Sequence, residues 1–394
     1  MGAQCGAHSP AREPIKLMET LFWISAAVIF YVYAGYPAIL TIMARRQRLT
    51  RLDENYLPSV ALVIAAYNEE KVLREKLENS LALNYPSDRL EIVVVSDGSI
   101  DATDEIADSY GHHDVRLYRM NPRGGKTRAL NTIIPKTQGE ILVLSDANTM
   151  YRPDAIRKLV RHFADPTVGA VSGDVRLVNA APSHSASESL YYRYERWIQT
   201  LESRIGSIIG ADGAMYALAR KHFRPPPQET IVDDFVISMT VARLGFRVLY
   251  DPEAIAIEHG TLTAREEFFR KVRIIAGGIQ ALKLGVGLPR LKQPSLLVGY
   301  ISHKLLRWSV PCLLLAVLLC SATLISKPFY AIIFAAQVSF YLAALTYGLD
   351  TFGFRHRRFA GIAYYFFLVN GAALLGIWRG LRGAQSVTWS RTTR

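Results

Sequence analysis

The chain has 394 residues, half of them hydrophobic, with 46 Lys and Arg against 34 Asp and Glu and a formal net charge of +12. That length builds one large domain or two ordinary ones, and its three cysteines, Cys5, Cys312 and Cys320, supply neither a disulfide framework nor a zinc site. The basic excess flanks apolar segments and comes without zinc-finger or RNA-recognition spacing, so it points to membrane lipid and excludes nucleic acid as the partner.

Residues 1–17 form a polar tail. From 18 to 44 the chain is apolar and aromatic over the length of a bilayer crossing, most continuously at Leu21–Met43, and Arg45, Arg46, Arg48 and Arg51 come directly after it. The stretch is too long for a signal-peptide core and reads as an anchor. Its basic flank places the next part of the chain on the cytoplasmic side. Residues 57–262 alternate strands with helices, which predicts an α/β domain with a mostly parallel sheet. Val60–Ala66 ends in Tyr67-Asn68-Glu69-Glu70, Ile92–Val95 in Ser96-Asp97-Gly98-Ser99, and Ile141–Leu144 in Ser145-Asp146-Ala147-Asn148. Three strands ending in polar clusters mark one sheet edge, and ligands of α/β sheets bind there.

Val168–Leu177 and Ala214–Ala219 read as further strands around a Tyr- and Arg-rich helix, Ser187–Ile205, that packs the domain or lines an acceptor path. Val232–Leu244 is helical. Residues 263–308 read as interfacial, because Ala264–Leu284 sets Phe268, Phe269, Val272, Ile275 and Ile279 against Arg265, Arg270, Lys271 and Arg273. Residues 309–381 hold three apolar segments and 382–394 a basic tail. Three crossings would leave Arg379, Arg382, Arg391 and Arg394 outside, against the positive-inside bias, so one segment is open to a re-entrant or interfacial path.

Asp146 and Asn148 put two oxygen ligands beside one point, which suits a hard divalent cation bridging phosphates, although a turn or a helix cap uses the same triplet. In Arg123-Gly-Gly-Lys126 the glycines let backbone amides approach phosphate while Lys126 adds a point charge; a plain turn is the other reading. Asp97 is placed to accept hydrogen bonds from a base or ribose, or to cap a turn. Asp233 and Asp234 open a helix, where the dipole favours them, and one of them facing a cleft is a candidate general base. Arg270 and Arg273 share a helix face and either hold a departing diphosphate or lie solvated.

Tyr67-Asn-Glu, Ser96-Asp97-Gly-Ser, Gly125-Lys126, Asp146-Ala-Asn148, Gly210-Ala-Asp212-Gly, Val232-Asp-Asp234 and Arg270-Lys-Val-Arg273, in this order, resemble the motifs of the membrane-integrated family 2 glycosyltransferases. That family includes the synthases of cellulose, chitin and hyaluronan and many exopolysaccharide transferases. The resemblance implies an α/β GT-A (Rossmann-like) cytoplasmic domain inserted between transmembrane helices. It also implies inverting transfer from a nucleotide sugar, usually a UDP-sugar, with Mg2+ or Mn2+ on the diphosphate. It makes Ala66, Tyr67, Asn68, Glu69, Asp97, Lys126, Asp146, Arg270 and Arg273 donor-binding, Asp146 and Asn148 metal ligands, Asp234 the base, and Asp212 and Asp233 acceptor-binding. The chain departs from the family at Asn148, where a second Asp is usual, and at Val232-Asp233, where Thr-Glu is usual. Arg270 and Ile274 stand where processive members carry Gln and an acceptor-stacking Trp. The expectation is a glycosyltransferase of the bacterial plasma membrane, acting on a lipid-linked or growing polysaccharide acceptor. A processive synthase, favoured by the Trp389–Arg394 ending, and a non-catalytic nucleotide-sugar-binding subunit are the alternatives.

Overall fold

A computed structural model describes residues 12–45, 51–178, 185–259, 263–349 and 358–388; the Trp389–Arg394 ending lies outside them. The centre of the domain is an eight-stranded sheet in the order β3-β2-β1-β4-β7-β6-β8-β5. β1 (Val60–Ala66) has no polar residue and is buried on both faces, as parallel strands between two helical layers are. Its side chains alternate between two cores. Leu62 and Ile64 pack with Leu73, Leu77, Ile156 and Leu159, whereas Ala61 and Val63 pack with Leu130, Ile133, Tyr216 and Met239.

Helices α3 (Leu73–Leu81), α4 (Thr103–Ser109), α5 (Lys126–Ile133) and α6 (Ala155–Val160) alternate with β2 (Leu90–Ser96), β3 (Val115–Arg119) and β4 (Ile141–Asp146). The register pairs Ala66 with Ser96 and Ala65 with Asp146, so the three polar strand ends are level at one edge.

The sheet is parallel throughout β3-β2-β1-β4 and mixed beyond it, where β6 and β8 are again parallel to each other. β7 (Met215–Ala219) runs antiparallel between β4 and β6 (Val168–Val178), and β5 (Thr149–Tyr151) runs antiparallel beside β8 (Arg247–His259). A parallel neighbour needs a connection that crosses the sheet. The link from β6 to β7 instead leaves and rejoins the sheet at the same edge, through α7 (Ser185–Ile205). This return sets the loop Gly210-Ala211-Asp212-Gly213 beside the ends of β1, β2 and β4.

Among the described residues, four helical segments are long and apolar enough to cross a membrane: Glu13–Ala44, Pro294–Thr323, Pro328–Gly348 and Ala360–Arg382. The first comprises α1 (Arg12–Phe30) and α2 (Tyr36–Ala44) joined by a π-helical turn; the second, α10 (Pro294–Gly299) and α11 (Leu306–Thr323) joined by another. α12 (Pro328–Gly348) and α13 (Arg358–Arg382) complete the set. The two π turns meet, with the Tyr31 and Ser302 hydroxyls 2.8 Å apart. The part of the 263–308 stretch from Pro294 onward, read from sequence as interfacial or entering the membrane, is the start of the continuous helical segment that runs to Thr323. The charges there are paired inside: His303 contacts Glu202 at 2.8 Å and Glu195 at 3.1 Å, and Arg307 pairs with Glu195. Both carboxylates come from α7, which thereby binds the domain to the membrane helices.

α9 (Ala264–Leu284) buries Val272, Ile275, Ala276 and Ala281 and carries a capping box formed by Thr263 and Glu266. α13 lies along it, close enough that a methyl group on Gly376 would stand 2.9 Å from the Ile275 Cβ, and one on Gly380 2.7 Å from the Ile279 Cβ.

Candidate active site

At the level strand ends the loops are tied to one another. Asn68 donates its amide to Ser99 Oγ at 3.1 Å and accepts from the Ile100 amide at 2.9 Å, while the Glu69 amide donates to Thr103 Oγ1 at 2.7 Å. Asp97 is almost wholly buried, and its two oxygens accept from the Gly124 and Gly125 amides, each at 2.8 Å. Gly125 needs its left-handed φ of +89° to present that amide. Asp97 thus fixes the glycine loop in this structure, and the Arg123 guanidinium lies 3.4 Å from the centre of the Tyr67 ring. Lys126, first residue of α5, points back over the edge.

Lys126 Nζ donates to Asp146 Oδ1 at 2.6 Å and to the Gly213 carbonyl at 3.3 Å, and stands 4.0 Å from Asp233 Oδ2. Burial opposes its charge, but the Asp146 and Asp233 carboxylates outweigh burial and hold its pKa above the usual lysine range. Asp233 is buried, and its Oδ2 has no hydrogen-bond partner among the described residues. Asp234 accepts from the Phe235 amide at 2.8 Å. Burial, and then the neighbouring charge of Asp233, push the Asp234 carboxyl well above the ordinary aspartate range. Gly213 is what lets Asp234 reach this place, since a Cβ there would lie 2.6 Å from Asp234 Oδ2. Asp212 accepts from the Ala214 amide at 3.0 Å, and burial raises its pKa.

These groups line a cavity of about 890 Å3 that continues past Arg270 and Ile274 to Tyr191, Lys304, Trp308 and Phe366 on the membrane side. Lys126, Asp146, Asn148, Asp212, Asp233, Asp234, Arg270 and Arg273 all border it, as does Glu69; Asp97 stands behind the glycine loop. Arg270 donates to Glu267 at 2.8 Å and to Tyr192 OH, so its head is committed to α7 and to its own helix. Arg273 donates to three carbonyls: Ile231 at 3.3 Å, Ser386 at 3.3 Å and Val387 at 3.1 Å.

Sequence reasoning missed Glu258, at the end of β8. Its Oε1 accepts from Asn148 Nδ2 at 2.8 Å, and burial, then Asp146, raise its pKa. The signal was of the kind that marked Asp146, a carboxylate closing an apolar stretch, here Ala254-Ile-Ala-Ile257. Among the described residues no three His, Cys, Asp or Glu side chains converge to hold a metal ion alone. Asp146, Glu258 and the Asn148 amide nevertheless fit an oxygen-ligated divalent cation that takes its remaining ligands from a diphosphate, as Mg2+ commonly does.

A parallel half-sheet continued by antiparallel strands, with a glycine loop, a lysine and an Asp-x-Asn turn at one edge, defines the class of GT-A domains. Residues 61–223 match the family model described as glycosyl transferase family 2. The chain is 24% identical over 272 residues to the poly-β-1,6-N-acetyl-D-glucosamine synthase of Staphylococcus epidermidis, covering 68% of this chain and 64% of that protein. It is 27% identical over 256 residues to the β-monoglucosyldiacylglycerol synthase of a Nostoc species, covering 62% and 54%. The chain therefore spans less than two thirds of the length of these curated relatives. The fold is shared with the mannosyltransferase PcManGT of Pyrobaculum calidifontis, solved with GDP-Man and Mn2+, at a TM-score of 0.75 and 21% identity over 93% of this chain and all of that one.

Proposed function

We propose that the protein is a membrane-bound inverting glycosyltransferase that moves a sugar from a nucleotide sugar to the hydroxyl of a lipid-linked or growing saccharide. One observation carries this reading: a single cavity joins the carboxylates and lysine at the sheet edge to aromatic surfaces of the membrane helices. The donor diphosphate fits the Lys126 edge, and an amphiphilic acceptor fits the membrane side.

In this mechanism Asp234 takes the proton of the acceptor hydroxyl. The hydroxyl oxygen forms its bond to the anomeric carbon from the face opposite the diphosphate. The bond from that carbon to the diphosphate breaks, its electron pair leaving on the diphosphate oxygen, so the anomeric configuration inverts. Lys126 orients the leaving group with Asp146, and Arg273 stands ready to hold it. The chemistry that Mg2+ or Mn2+ supplies when held by Asp146 and Asn148 is neutralisation of the leaving diphosphate.

The test feeds membranes containing the protein a panel of labelled UDP- and GDP-sugars with Mg2+ or Mn2+ and sizes the product. Label in an organic-extractable product of one added sugar supports the reading. A high-molecular-weight polymer would make the protein a synthase that also translocates its product. Asp234→Asn is expected to keep donor binding and lose about two to four orders of magnitude in kcat; near-normal turnover would remove Asp234 from the role of base.

A further inference from the structure

Asn148 leaves the Asp-x-Asn turn with one carboxylate where the motif it resembles has two. A Mg2+ ion that holds a diphosphate is bound through one or two carboxylates together with the substrate phosphates, so the site has room for a second carboxylate from outside the turn. The missing charge is next door. Glu258 ends β8 at the same edge, lines the same cavity, and its Oε1 takes a hydrogen bond of 2.8 Å from Asn148 Nδ2. That contact explains the asparagine. A carboxylate at 148 would face the Glu258 carboxylate at hydrogen-bond distance with no proton between them, an arrangement of like charges that disfavours both ionised forms. An amide there instead spends its NH2 on Glu258 and keeps its carbonyl oxygen as the one group it can offer a cation.

Resting on the function proposed above, we infer that Glu258 supplies the second carboxylate of the divalent-cation site. Relative to the two-Asp motif, the charge has moved from the turn after β4 to the end of β8, and Asn148 joins the two. The negative charge of the site is unchanged by the move, while one of its carriers now sits on a strand anchored over nine residue pairs to β6. The ligand set is an aspartate, a glutamate and an amide oxygen, all hard donors suited to Mg2+ or Mn2+. Donor phosphates complete it, so tight cation binding requires the nucleotide.

The experiment titrates Mn2+ into the detergent-purified full chain with UDP or GDP present and follows free Mn2+ by electron paramagnetic resonance, which needs no turnover. Glu258→Gln keeps an oxygen for the Asn148 hydrogen bond and removes the charge. It is expected to weaken Mn2+ binding about 10- to 100-fold, with an unchanged melting temperature. Asn148→Asp combined with Glu258→Gln transposes the charge back into the turn and is expected to recover most of that loss. Mn2+ affinity within twofold of wild type in Glu258→Gln, or a double variant no tighter than Glu258→Gln alone, would overturn the inference. If Asp146→Ala abolishes Mn2+ binding while Glu258→Gln does not alter it, the assignment of Glu258 falls and the proposed function stands. If the wild-type chain takes up no Mn2+ with either nucleotide, both fall.

Discussion

At the residue scale the adjacent carboxylates Asp233 and Asp234 sit in two different surroundings. Asp233 faces Lys126 at 4.0 Å, whereas Asp234 is set against Gly213 and the start of α8 (Asp233–Leu244). Burial first and the Asp233 charge second raise the Asp234 pKa. A base works only when ionised, so kcat/KM is expected to rise with pH through a limb above the ordinary aspartate value of about 4. Asp233→Asn removes a charge that raises the Asp234 pKa, so the limb is expected to move to lower pH in that variant. A pH–rate profile with the limb unmoved, or moved upward, would break the coupling.

The proposed site residues legible in the sequence were those that close an uninterrupted apolar run or open a helix, as Asp146 and Asp234 do. Glu258 was not legible because Asp251-Pro252-Glu253 interrupts its strand; a proline inside an apolar run argues against a central strand. The structure admits it through an irregularity, since consecutive pairs step from Ser172–Tyr250 to Asp174–Ile255 and leave the proline outside the ladder. The distant partners of Arg270 and Arg273 were equally invisible, for Tyr192 lies on α7 and Val387 after α13, far away in sequence.

At the element scale, α9 and α13 touch through glycines four residues apart, the small-residue spacing that lets helix backbones approach closely. Lys283 Nζ donates to the Leu381 carbonyl at 2.9 Å and fixes the register at the far end. Gly380→Leu would drive a side chain into Ile279 and is expected to destabilise the pair by about 1–3 kcal/mol. Thermal melting in detergent measures this, and an unchanged midpoint would show that the two helices do not depend on this contact. Periodicity marked α9 as amphipathic but left its apolar stripe facing lipid. In the fold much of that stripe faces α13 and the domain, because a second apolar helix competes with lipid for the same surface.

At the scale of the whole molecule, the same helix pair bears on how the chain crosses the bilayer. Arg273 bonds the carbonyls of Ser386 and Val387, so the residues after α13 lie on the same side as the glycosyltransferase domain. An even number of crossings must therefore separate them. If Pro294–Thr323 and Pro328–Gly348 leave and return as a pair, α13 is expected to lie beside α9 without crossing, with Arg379 and Arg382 on the domain's side. Cysteines placed at Thr388 and at Ser87 are thus expected to react with a membrane-impermeant maleimide from the same face of sealed vesicles. Labelling from opposite faces would restore a third crossing.

Val387 also rests on the glycine loop, its Cγ1 3.4 Å from where a Cβ of Gly125 would be. Arg273 and Val387 are 114 residues apart. During synthesis the sheet with its lysine and carboxylates is complete long before the segment that seats Arg273 leaves the ribosome. A nascent or prematurely terminated chain therefore carries a finished strand edge with Arg273 still unseated, and Arg273 is seated only after the residues that follow α13 have been made. The order of manufacture thus makes the seating of Arg273 depend on the chain beyond α13.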